Sequence, residues 1–142
     1  MTTPRHNDER GAIAAEMAVV MVTFFAGFLF LVVFAGRVAQ AENDVRSAAH
    51  EAARAATVQA TPDAADARAR EVAAANLITS GVACSEGTTV TVGLTDWRPG
   101  GWVTVTVTCA ASLRDVASLG VPGTQTFTAT AVEVIDTFRS SP

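Results

Sequence analysis

The sequence predicts an α+β fold: a long N-terminal helix, membrane-spanning in its first half, packed on a small antiparallel β-sheet domain with a second short helix. Three observations carry this. Met17–Gly36 runs for 20 residues with Thr23 as its one polar side chain. The stretch RVAQAENDVRSAAHEAARAATVQA (37–60) is rich in Ala and holds neither Pro nor Gly. From Val90 onward the apolar period changes to two, as in strands.

Composition narrows the function classes. The chain has 142 residues, enough for one globular domain beyond the apolar run. Net charge is −4, and all ten basic residues are Arg. From Arg37 onward eight Arg face eleven Asp and Glu, with no basic stripe, so no nucleic-acid partner is expected. The mean hydropathy of +0.31 reflects apolar residues concentrated in 12–36.

At 1.5 Å per residue, Met17–Gly36 would reach about 30 Å as a helix, the thickness of a hydrocarbon core. A buried helix in a domain this small is rarely apolar all round over such a length. A single membrane span over 12–36 is therefore expected. A second fate stays open. RVAQAEN (37–43) offers Ala39-x-Ala41, so a signal cut near Ala41 would yield a secreted or membrane-tethered binding module. Against it, the apolar run exceeds the length of a signal's apolar region, Glu16 lies at one end and Arg37 just before the cut. Arg5 and Arg10 precede the span while Arg37, Arg46 and Arg54 follow it, so the positive-inside rule does not favour a cytoplasmic N-terminus.

The polar leader MTTPRHNDERG (1–11), then AIAAE (12–16), then the apolar run resemble the prepilin signature. With AAEMAVV (14–20) and AHEAARAATV (49–58), the sequence resembles the TadE-like pseudopilins of tight-adherence (Flp, type IVb) pilus systems. The likeness is strongest over 10–60 and returns weakly in TFTATAVEVIDTF (126–138). Ala12 and Met17 stand where relatives often carry aromatic residues. The resemblance implies cleavage by a prepilin peptidase after Gly11 on the cytoplasmic side, with Ala12 as the new N-terminus and Glu16 as the fifth residue. It implies a minor pseudopilin that packs with other pilin-like subunits and the assembly machinery in adhesion or secretion. It places the chain as a single-pass protein of the inner (cytoplasmic) membrane, N-terminus cytoplasmic and C-terminal domain extracytoplasmic, with the extracellular pilus as a further destination.

Physical chemistry gives Glu16 a reason under this reading. A carboxylate in lipid costs on the order of 3 kcal/mol at a helix centre and less near the interface. Cleavage after Gly11 creates an α-amine at Ala12, one turn before Glu16 on the same face. The two charges could neutralise each other within a chain or between neighbours. The plainer alternative is a solvated glutamate at headgroup level, near the positive helix N-terminus.

Beyond the span, a helix continuing to about Ala60 is expected, with Glu42–Arg46 at favourable i, i+4 spacing. Val38, Val45, Ala49, Ala52 and Ala56 form a narrow stripe best used against the chain's own sheet. His50 falls on the solvated side.

Residues 61–142 make the exported α+β domain, after a leader at 1–11, a span at 12–36 and a helical extension at 37–60. Thr61-Pro62-Asp63 is a helix start, and Gly81 a stop, with Val72, Ala73 and Leu77 as the buried edge. Val90, Val92 and Leu94 alternate with Thr, as do Val103, Val105, Val107 and Cys109; TDWRPGG (95–101) reads as the hairpin loop between them. A third strand is expected over 125–135. Cys84 and Cys109 are the only cysteines. A disulfide between them would close a loop of about 26 residues, stabilise by about 3–4 kcal/mol, and imply an oxidising compartment; two buried free thiols are the alternative.

No active site emerges. Two distant histidines and two cysteines make no zinc set, and no cofactor, metal or small-molecule substrate is expected. Gly100-Gly101 precedes a strand, so it cannot form a phosphate-binding loop at a helix start. Trp97 and Trp102 flank the hairpin tip; at least one is expected to cover the edge of the small sheet, and if exposed the two would make a contact surface.

Overall fold

A computed structural model describes residues 8–85, 87–117 and 120–138, so the first seven residues of the expected leader lie outside it. The order is α1 (Asp8–Thr57), α2 (Pro62–Ser80), β1 (Gly87–Gly93), β2 (Trp102–Ser112), α3 (Leu113–Ala117) and β3 (Thr124–Val134). This is the expected α+β arrangement. Contacts divide the chain into two units, Met1–Gly36 and Arg37–Pro142.

Helix α1 is unbroken across that division. It ends at Thr57, three residues before the expected Ala60. The cause lies just downstream: Thr61 is held extended (φ −129°, ψ 155°) because the residue before Pro62 is excluded from helical geometry. Thr61 then caps α2 by accepting from the Ala64 N–H. At the other end Gly81 adopts φ +77° and returns its N–H to the Ile78 and Leu77 carbonyls, a left-handed stop open to glycine at little cost.

In the Arg37–Pro142 unit the sheet has the order β1-β2-β3, antiparallel throughout. Val103, Val105, Val107, Cys109 and Ala111 of the central strand point inward and are fully buried. They meet Val45, Ala49, Ala52 and Ala56 of α1, so the predicted stripe packs on the chain's own sheet; Val38 is half-buried. The inward row of α2 is Ala65, Ala69, Ala73 and Leu77, spaced by four. Val72, expected on that edge, is only half-buried because it sits one residue off the row. Alanine dominates both helical faces, which leaves valines, Phe127 and Ile135 to supply the bulk of the core. The outer face carries threonines, with hydroxyl contacts Thr106–Thr130 at 2.9 Å and Thr108–Thr128 at 3.2 Å across the β2–β3 pair.

Two local devices fix the ends of the sheet. The Gly101 backbone passes so close to the Asp96 carbonyl that a Cβ would lie 2.0 Å from it, so only glycine fits the hairpin loop. Helix α3, which no sequence signal announced, starts where the Ser112 hydroxyl accepts from the Arg114 N–H.

Cys84 and Cys109 are bonded, with Cα atoms 5.2 Å apart. The bridge ties the α2–β1 connection to the middle of the central strand. Arg70 of α2 grips Asp66 with Nε at 2.8 Å and Nη2 at 3.0 Å, and donates through Nη1 to the Val90 carbonyl of β1. The hydrogen bonds from Arg70 hold the Asp66 carboxyl below the usual carboxylate range, burial opposing them and the cation's charge adding to them.

Replacing both cysteines by Ala in the full chain should lower stability by about 3 kcal/mol in the chain-entropy account. Thermal melts would read this as a drop of about 10 °C or more; an unchanged midpoint would show that the bridge constrains nothing. The Asp66 carboxyl titrates lower folded than unfolded, so its stabilisation is present above the ordinary carboxylate pKa and disappears as pH falls through the lowered one. Asp66→Asn should therefore melt earlier than the parent at pH 7, and the gap should close at strongly acidic pH.

Candidate functional site

The described part of the first unit is helical. Among residues 13–36 none is buried, and Phe34 alone is half-buried. Val22 is 69% and Phe24 65% exposed, whereas such side chains in a soluble domain would be turned inward. The most apolar 18-residue window has a mean hydropathy of 2.7 and no residue buried. Over Met17–Gly36 the one polar side chain satisfies itself: the Thr23 hydroxyl donates to the Val19 carbonyl at 2.9 Å. A single helix here is long and apolar enough to cross a membrane.

At its start stand the residues singled out by the sequence. The Gly11–Ala12 bond lies within α1, and glycine is a weak helix former. Glu16 follows one turn after Ala12, exposed, in a shallow apolar groove with Ala15, Val19 and Val20. Among the described residues it has no ion-pair partner. The local chemistry is thus a lone carboxylate on an apolar rod, one turn from a bond whose cleavage would create a cation.

The two tryptophans differ in exposure. Trp97 is half-buried and packs at the edge of the core, while Trp102 is 50% exposed on the outer face, opposite Val134. Trp102, Val132 and Val134 leave a small apolar area at that end of the sheet. The alternation of β2 places Trp102 outward with the threonines; Trp97 lies in an irregular loop whose packing no periodicity reveals.

Two contacts had no sequence signal beyond local pairing. Arg70 reaches the β1 backbone besides Asp66. His50 is exposed, as expected, and its Nδ1 lies 3.6 Å from Glu133 of β3. Among the described residues no group of three or more His, Cys, Asp or Glu is placed to hold a metal ion.

Ala39 and Ala41, the alternative cut site, lie inside α1, and Ala41 is buried in the core. No curated protein and no solved structure matches the chain. The family model described as TadE-like protein matches residues 11–54, just under a third of the sequence, beginning at the glycine and ending within the buried part of α1. Over that segment the chain is similar to the TadE-like family.

Proposed function

We propose that the chain is a minor pseudopilin: a structural or assembly subunit of a tight-adherence (Flp, type IVb) pilus or related secretion fibre, processed by a prepilin peptidase after Gly11. The observation that carries this reading is Glu16, an acid set one turn after Ala12 at the head of a stretch that carries no further charge until Arg37 and buries no residue over 13–36. The TadE-like match over the same residues supports it.

In this reading cleavage removes residues 1–11 and leaves an ammonium at Ala12. The amine and the Glu16 carboxylate then pair, in one chain or across neighbours, so that neither meets lipid uncompensated. The helix is held in the inner membrane with its N-terminus cytoplasmic, and the Arg37–Pro142 unit is exported, where Cys84–Cys109 oxidises. Packing with pilin-like subunits then draws the rod out of lipid. A secreted module cut near Ala41 is less well supported, because that cut would open a helix inside the core.

Intact mass of the protein from its native membrane tests the reading. The expected chain begins at Ala12; one beginning at Glu42 or at Met1 would contradict processing at the glycine. Substituting Gly11 should block the cut, whereas Glu16→Ala should leave the cut in place and impair fibre assembly. Normal fibres in Glu16→Ala cells would remove the assigned role of the carboxylate.

A further inference from the structure

We infer that a small polar cavity in the Arg37–Pro142 unit is a headgroup site for a phospholipid that carries a phosphate and a primary amine, as ethanolamine lipids do. The inference goes beyond the pseudopilin reading and needs only that Met17–Gly36 crosses a bilayer.

The cavity has a volume of about 180 Å³ and is walled by Arg37, Gln40, Ala41 and Asp44 of α1, Gly81 at the end of α2 and Asp115 of α3. Sites for drug-sized ligands run to ~300–1,000 Å³, so this one suits a smaller polar group. Arg37, Gln40 and Asp44 succeed one another at three and four residues, which puts them on one face of the helix. Arg37 and Asp115 are exposed and Asp44 is half-buried. Among the described residues none of these three charges has an ion-pair partner, whereas Glu42, Asp66, Glu71 and Asp96 each hold an arginine.

The two signs of charge are separated across the cavity wall. Asp44 and Asp115 attract a cation, and so does the negative end of α2, which arrives at Gly81 with no basic residue in its last turn. Arg37 is the one cation among the described residues of the wall. A ligand that satisfies all of them carries an anion at one end and a cation at the other.

Chain order fixes which end faces the lipid. Arg37 directly follows the apolar run, and Asp44 stands about 10 Å farther along the helix. The headgroup layer outside the hydrocarbon core is ~5–8 Å deep on each side. Arg37 and Gln40 therefore fall within it, and Asp44 at its outer margin. A phospholipid presents its groups in the same order, phosphate first and amine beyond. Arginine is suited to the phosphate, with several donors in a planar fork. A primary ammonium brings three N–H donors to the carboxylates and the α2 carbonyls.

Other headgroups meet this wall less well. A glycerol headgroup has the anion without the cation and leaves both aspartates unpaired. A choline ammonium has no N–H to donate, and a serine headgroup adds a carboxylate against Asp44 and Asp115. A soluble molecule with the same phosphate and amine would make the same contacts, but the bilayer holds its own lipid at the level of Arg37 and so at high effective concentration.

The test reconstitutes the full chain in vesicles of equal parts phosphatidylethanolamine, phosphatidylcholine and phosphatidylglycerol, and reads the lipid retained on the protein by native mass spectrometry. Phosphatidylethanolamine should be retained about tenfold over either of the others. Arg37→Gln or Asp44→Asn should each cut its retention by about tenfold, the scale of one hydrogen bond to a charged group. Asp44→Asn with Asp115→Asn should turn the preference toward phosphatidylglycerol, a reversal that a damaged fold would not produce. These side chains are not buried, so the thermal midpoints should hold. Equal retention of the three lipids, no retention, a parent preference for phosphatidylglycerol, or a preference that none of the substitutions moves would overturn the inference. Soluble glycerophosphoethanolamine at millimolar concentration should leave the lipid in place; full displacement would assign the site to a soluble ligand and overturn the lipid assignment. The intact mass of the chain from its native membrane reads processing at Gly11 separately, so failure of one proposal is distinguishable from failure of the other.

Discussion

One helix has to be satisfied by two different surroundings. Helix α1 runs unbroken from Asp8 to Thr57, yet its apolar first half buries no residue over 13–36, while seven residues of its second half, from Ala41 to Ala56, are buried in the domain core. A helix can do this because its backbone hydrogen bonds are internal and survive the change from lipid to protein. Its side chains cannot. Phe and Leu on every side suit a hydrocarbon solvent, and Ala on one side suits close packing against a sheet. At about 25 cal/mol per Å² of apolar surface, leaving residues 13–36 in water would far exceed the net stability of a domain this size.

The remaining architecture follows from that constraint. Because α1 brings only Ala and Val45 to the core, the sheet must provide volume, and the buried row from Val103 to Ala111 with Phe127 and Ile135 does so. The domain is small and is reinforced by a covalent tie between Cys84 and Cys109 rather than by more core. Asp66 and Arg70 serve both as a helix pair and as a clamp on one sheet edge.

Much of this could be read from the residues. The span, the Thr61-Pro62 start, the Gly81 stop and the two-residue alternation of Val103 to Cys109 are local signals whose physics involves neighbours in sequence. The third strand, expected over 125–135, runs Thr124–Val134. The end of α1 was misplaced by three residues because the helix propensity of 58–60 gives way to the geometry demanded by Pro62. Other features depend on distant partners and left no trace: helix α3, the reach of Arg70 to Val90, the His50–Glu133 contact and the packing of Trp97 against the core. Of the candidate site, the spacing of Gly11, Ala12 and Glu16 was legible because it is purely local.

The most direct measurement is a nitroxide scan of α1 in a reconstituted bilayer, one labelled cysteine at a time from Met17 to Ala56. Two surroundings predict access to oxygen on every side of the helix over 17–33, then one-sided occlusion with a helical period over 41–56. Access of a water-soluble relaxer on any side of 17–33, or the same one-sided occlusion running through both halves, would contradict it.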